Sequence, residues 1–409
     1  MKRLTSFLLP LALVCATLCA QTKEEPIDFN KARQLYQREQ SGEKLSPEEQ
    51  AYLTRAKELR AKGGERPAAA PGGIDFQKAQ ALRERSQKGE KLTPEEQAYL
   101  DKALAAQSQA RPDLRQRKVP EHLVPLTDMT AQDRYEGEDG GLYGDGSNTP
   151  PPALRQAAEA QLARIQPLDA AGKPAAEGRI VLVSISMSNA TMEFSTFKRI
   201  ADPSPKKGSL LTIVDCAQGG QAMAQWAPPE ARPWTEAKAR LAAAGVTPAQ
   251  VQVAWIKLAN VRPEGSLSDH GKKLESDTLA VLHNAHALFP NLRIAYLGSR
   301  IWAGNASTGL NPEPYAYEGA FPVRWLIQRQ MKGDPELAEA KSPLLLWGPY
   351  LWAEGTKGRK TDKLTWEKED FGGDGTHPSA AGQMKVANLL LDFFSSDPLA
   401  KSWFTAGKK

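Results

Sequence analysis

Apolar positions follow two different spacings along this chain, and the change comes near residue 179. Beyond it, short β-branched apolar runs recur at residues 179–185, 210–214, 251–256, 292–297 and 343–347. Helical spacing fills several of the gaps, as in residues 276–288 and 321–331, and returns in a last helix carrying Met384, Val386, Ala387, Leu390 and Phe393. Apolar strands alternating with helices predict a parallel sheet covered on both faces, an α/β domain over residues 179–409. In such sheets the functional residues gather just beyond the carboxyl ends of the strands.

Before residue 179 the pattern is helical and repetitive. Residues 27–56 and 74–103 resemble each other: Ile27-Asp28-Phe29 matches Ile74-Asp75-Phe76, and Pro47 to Leu53 matches Pro94 to Leu100. Each copy reads as a helical hairpin turning at Gly42 or Gly89. Its second helix opens with Ser46-Pro47-Glu48-Glu49 or Thr93-Pro94-Glu95-Glu96, a capping box with proline in the first turn. The repeat region, residues 21–108, is expected to be a helical spacer or self-association element, with an envelope- or glycan-binding module as the alternative. Residues 109–178 form an approach segment. Its glycine-dense stretch, 136–148, lacks the register of a calcium loop and predicts an ordered loop over the main domain. A helix is expected over residues 153–165.

Composition changes the picture in three places. At 409 residues with 41% hydrophobic and 25% charged residues, the chain can bury a full core and holds more than one unit. The net charge of +5 is mild and interleaved with acids, which argues against nucleic acid as a partner. Residues 1–20 read as a secretory signal: Lys2-Arg3, an apolar stretch from Phe7 to Val14, and a cleavage point at Ala20-Gln21. Export to the periplasm or beyond is therefore expected. Cys19 leaves a lipoprotein alternative, although the residues before it lack the small residue lipidation prefers. Of three cysteines only Cys216 follows the leader, so the mature chain has no intramolecular disulfide, and Cys216 reads as a small core residue.

Candidate chemistry lies where the strands end. Ser186-Met187-Ser188-Asn189 follows the first run, Gln218-Gly219-Gly220 the second, and Ala259-Asn260 the third; Asp374-Gly375-Thr376-His377 precedes the last helix. A carboxylate and an imidazole this close can activate a serine hydroxyl. Each feature has a plainer explanation: Asp374 as a helix cap, Gly219-Gly220 as a turn, Asn260 as a loop residue. His283 and His286, three apart on a helix, lack an evident third ligand for zinc.

Serine, glycine, asparagine and histidine at successive strand ends, in that order, resemble the SGNH (GDSL-like) hydrolase superfamily over residues 179–395. The resemblance implies a three-layer α/β/α, flavodoxin-like domain. It also implies Ser188 as nucleophile, His377 as general base and then acid, and Asp374 as its orienting carboxylate. The amides of Ser188 and Gly220 (Gly219 if the register slips) and the side chain of Asn260 would form the oxyanion hole. The first block departs from the family's Gly-Asp-Ser, and the third from its Gly-x-Asn-Asp. No cofactor or metal is implied. The implied activity is hydrolysis of an acyl ester or a carbohydrate O-acetyl ester, so the expected partner is a small-molecule or glycan ester. Export and Trp255, Trp302, Tyr315, Trp347, Tyr350 and Trp352 tilt the reading toward glycans. The alternatives are an inactive SGNH-fold binding protein of the envelope and an O-acyltransferase.

Overall fold

The structure, a computed structural model, describes residues 35, 45–61, 78, 79, 82, 85, 92–109, 120 and 122–406. The leader and most of the first helix of each repeat lie outside the described residues. Two compact units divide between Gly73 and Ile74.

In the first unit, helix α1 (Pro47–Ala61) starts on the expected capping box: Glu49 N donates to Ser46 Oγ at 3.2 Å, and Ser46 N to Glu49 Oε2 at 2.9 Å. Leu35, Leu45 and Leu53 form a small apolar cluster of its own. In the second unit, α2 (Pro94–Gln109) opens on Thr93 and Glu96 with the same pair of bonds, and Ala79, Leu100 and Ala103 cluster likewise. Equivalent sequence signals give equivalent helix starts.

The rest of the second unit is α/β. Helix α3 (Pro152–Leu162) leads to five strands: β1 Ile180–Ile185, β2 Leu211–Asp215, β3 Val251–Lys257, β4 Ile294–Gly298 and β5 Leu344–Trp347. They form one parallel sheet in the order β2-β1-β3-β4-β5. All five apolar runs are therefore strands, within two residues of their expected starts. β1, β3 and β4 are buried at every position, as strands covered on both faces must be. Helix α4 (Ser188–Ala201) packs against α5 (Ala380–Ser396), while α6 (Lys272–Leu288) packs against α7 (Ala320–Met331). These two helix pairs are compatible with a three-layer arrangement. Because the chain steps from β1 outward to β2 and then back past β1 to β3, a crevice opens between the carboxyl ends of β1 and β3.

Ser188, beyond the end of β1, is the first residue of α4, after a sharp turn. Two readings need correction. The helix expected over 153–165 ends at Leu162. Trp255, Trp347, Tyr350 and Trp352 belong to the apolar core, with Trp255 stacked on Phe194 at 5.6 Å, so they offer no surface to a ligand. The glycine-dense stretch is ordered: the buried guanidinium of Arg324 enters it, donating to the carbonyls of Asp139 and Gly141 and pairing with Glu138.

Candidate active site

The last loop before α5 is built to hold its shape. Gly372 N donates to His377 O at 2.8 Å, and Ser379 N to Asp370 O at 2.8 Å, closing residues 371–378 into a small hairpin. Gly375 turns it with φ +62°, and a Cβ there would lie 1.8 Å from the carbonyl oxygen of Asn305. Ser379, not Asp374, caps α5: its hydroxyl accepts from the amides of Ala381 and Gly382. The aspartate is thereby left for the histidine.

Asp374 Oδ2 lies 2.6 Å from His377 Nδ1, and Oδ1 accepts from the amides of Thr376 (3.0 Å) and His377 (2.9 Å). Burial alone would raise this carboxyl's pKa. The hydrogen bond and charge of His377, with the two amides, outweigh burial and hold it well below the usual carboxylate range. The other ring nitrogen, Nε2, is 2.7 Å from Ser188 Oγ. Hydroxyl, imidazole and carboxylate thus stand in one hydrogen-bonded line, with the serine half-buried at the N-terminus of α4. A line of this geometry can take a proton from the hydroxyl and stabilise the imidazolium that forms.

The remaining predicted residues stand at neighbouring strand ends. Gly220 has φ +76° and is exposed, with open space where a Cβ would be; neither its amide nor that of Gly219 donates to another described residue. Asn260 is half-buried and held on three sides. Its Oδ1 accepts from Ala224 N at 2.9 Å, one Nδ2 hydrogen goes to Asp277 Oδ2 at 2.6 Å, and its carbonyl accepts from Asn311 Nδ2 at 3.3 Å. The second Nδ2 hydrogen is uncommitted to any described residue.

The unusual first block acquires a physical reading. Ser186 stands two residues before Ser188 and has φ +157°, at the edge of the region that favours glycine. Bonds compensate: its hydroxyl donates to Lys257 O, and its carbonyl accepts from Gln218 N at 2.9 Å and Trp226 Nε1 at 3.3 Å. Met187, next along, packs with Ala222 and Ala259, so an apolar contact joins the loops of Gly220 and Asn260. At the end of β2, Asp215 accepts from the hydroxyls of Ser184 and Thr191 at 2.5 Å each. Burial pushes its carboxyl up to about 6, against those bonds.

Behind the line sits a buried charged group that the residues at the strand ends do not announce. Glu193 and Lys257 are fully buried and bonded at 2.5 and 2.6 Å. Burial pushes the Glu193 carboxyl up and the Lys257 ammonium down to about 8, each opposed by the other's charge. Beside them Arg300 Nη2 donates to Thr376 O at 3.1 Å, and Asn189 Nδ2 to the same carbonyl at 3.0 Å, pinning the loop between Asp374 and His377. Glu193 was legible in one respect: it falls on the stripe of Ala190, Phe194, Phe197 and Ala201, where an acid is out of place. Cys216 is buried, and burial pushes its thiol far above its ordinary value.

No family model matches this chain, and no curated protein does. Among solved structures the chain is similar to "a putative acylhydrolase" from Bacteroides fragilis, with a TM-score of 0.33 and 14% identity over 61% of this chain and 100% of that one. A likeness at this level carries no argument about the chemistry, which rests on the side chains described above.

Proposed function

We propose that the protein is an exported serine hydrolase of the SGNH (GDSL-like) type, cleaving an ester of a small molecule or glycan. The observation that carries the reading is the line from Ser188 Oγ through His377 to Asp374 at 2.7 and 2.6 Å. Ser188 Oγ attacks the ester carbonyl while its proton passes to His377 Nε2; Asp374 holds the Nδ1–H and stabilises the imidazolium. The oxyanion meets the amides of Ser188 and Gly220 and the free Nδ2 hydrogen of Asn260, with the N-terminal dipole of α4 behind them. His377 returns its proton to the departing alcohol, leaving an acyl-serine. Water, deprotonated by the same imidazole, then releases the acid and restores Ser188.

Mass-spectrometric labelling with a fluorophosphonate tests this directly. Ser188 is expected to be modified in the wild-type protein, and neither Ser188→Ala nor His377→Ala is expected to label or to hydrolyse p-nitrophenyl acetate. A folded wild-type protein that neither labels nor turns over the ester would sink the reading. Export rests on residues 1–20; an N-terminus at Gln21 on protein recovered outside the cytoplasm is the expected result.

A further inference from the structure

Beside the proposed oxyanion hole lies a cavity of about 460 Å³ that the catalytic line does not use. Leu258, Ala259 and Asn260 form one wall, so it shares Asn260 with the site, while Ser188 and His377 do not line it. Its volume is within the ~300–1,000 Å³ of ordinary small-molecule sites. The buried part is apolar on Leu258, Leu274 and Tyr315 but is interrupted by Asn311, whose Oδ1 has no hydrogen-bond partner among the described residues. The rim is charged and balanced: Arg262 and Lys273 stand against Glu264 and Asp269.

We infer that this cavity receives the alcohol portion of the substrate, and that this portion is an uncharged glycosyl unit. The inference rests on the hydrolase reading for the word alcohol, though not for the ligand class. A sugar ring has an apolar face for Val261 and Tyr315, and a circumference of hydroxyls that both donate and accept. Such a ligand suits a rim of both signs. An extended acyl chain would leave Asn260 and the rim charges desolvated without compensation. An anion would gain from Arg262 and Lys273 only to meet Glu264 and Asp269.

The cavity is also wired to the oxyanion residue. Lys273 Nζ bonds Asp277 Oδ2 at 2.9 Å, the same oxygen that takes the Asn260 amide, and Asn311 holds the Asn260 carbonyl. A hydroxyl bound by Lys273 therefore bears on the placement of Asn260. Binding energy from a non-reacting part of the substrate then appears in kcat and not only in KM.

The test compares three esters on the full mature protein: acetylated xylotetraose, p-nitrophenyl acetate and p-nitrophenyl octanoate. Val261→Trp narrows the cavity while leaving the hydrogen-bond partners of Asn260 in place. It is expected to lower the ratio of kcat/KM for the sugar ester to that for p-nitrophenyl acetate by about tenfold or more. Arg262→Met, on an exposed rim residue outside the bonds that hold Asn260, is expected to move the ratio the same way and stands in if the tryptophan variant does not fold. Selective loss of the octanoate would make the cavity an acyl pocket and overturn the inference, as would an equal fall for all three. Should no ester be hydrolysed, the hydrolase reading fails separately. Saturation-transfer NMR with unacetylated xylotetraose, cellotetraose and chitotetraose then decides on the cavity: binding weakened by Val261→Trp supports it, and binding of none of them, or binding indifferent to the variant, overturns it.

Discussion

His377–Asp374 and His270–Glu318 are histidine–carboxylate pairs of nearly equal length, 2.6 and 2.5 Å, in the same unit of the protein. The difference lies in what each carboxylate and ring meets next. Asp374 is steadied by two amides of its own loop, which fixes the ring and leaves Nε2 facing the Ser188 hydroxyl at a half-buried helix start. Glu318 is fully buried, takes the Tyr135 hydroxyl at 2.5 Å on its second oxygen, and His270 lies under the edge of Tyr315, ring centroids 4.9 Å apart. One pair reaches a serine hydroxyl near solvent; the other reaches a phenol and an aromatic ring. A short imidazole–carboxylate contact is thus a component, and its third partner and access decide whether it serves chemistry or packing.

Four substitutions break or sharpen that contrast. Asp374→Asn should have the largest effect, lowering kcat on p-nitrophenyl acetate by roughly 10³–10⁴-fold, because the amide no longer enforces the ring's orientation. Asn260→Ala should lower kcat by about 10²–10³-fold, the usual loss for one oxyanion donor, measured in the same assay. Glu318→Gln should act on the fold instead: urea denaturation is expected to show about 1–3 kcal/mol of lost stability, while Ser188 still takes the fluorophosphonate label.

The smallest effect is expected from Asp215→Asn, read as melting temperature against pH. The folded carboxyl titrates near 6, above its unfolded value of about 3.9. Between these values the folded chain holds a proton that the unfolded chain has released, so stability falls as pH rises from about 4 to 6. Asparagine removes that slope because an amide does not titrate, and the fold keeps the contact because the Thr191 hydroxyl can turn to accept from it. Asp374 has the opposite sign: its depressed value supports the fold above about pH 4 and withdraws support as pH falls further, outside the measured window.

The strands were legible because burial on both faces requires continuous apolar runs, and each of the sheet's five strands is built on one. The order of chemistry-bearing residues after those runs brought Ser188, Asp374 and His377 together before any distance was known. Legibility stopped where a residue's part depends on a partner far along the chain. Nothing local marks Asp277 as holding Asn260, or Arg300 as holding the carbonyl of Thr376. The aromatic residues misled for the opposite reason. Trp255 and Trp347 lie on strands, and Trp352 shortly after one, where their bulk fills the core. Met187 could be noticed as a departure from a family pattern, but its contacts with Ala222 and Ala259 join loops more than thirty residues apart in sequence.

That methionine bears on how such a protein ages. A carboxylate in its place would answer to acid; a thioether answers to peroxide. Conversion of Met187 to its sulfoxide would put a polar, chiral group between two alanines and part the loops of Gly220 and Asn260 while leaving Ser188, His377 and Asp374 chemically intact. On the proposed mechanism, oxidative damage at this one sulfur would weaken stabilisation of the oxyanion while the serine hydroxyl kept its histidine, and reduction of the sulfoxide would restore the contact.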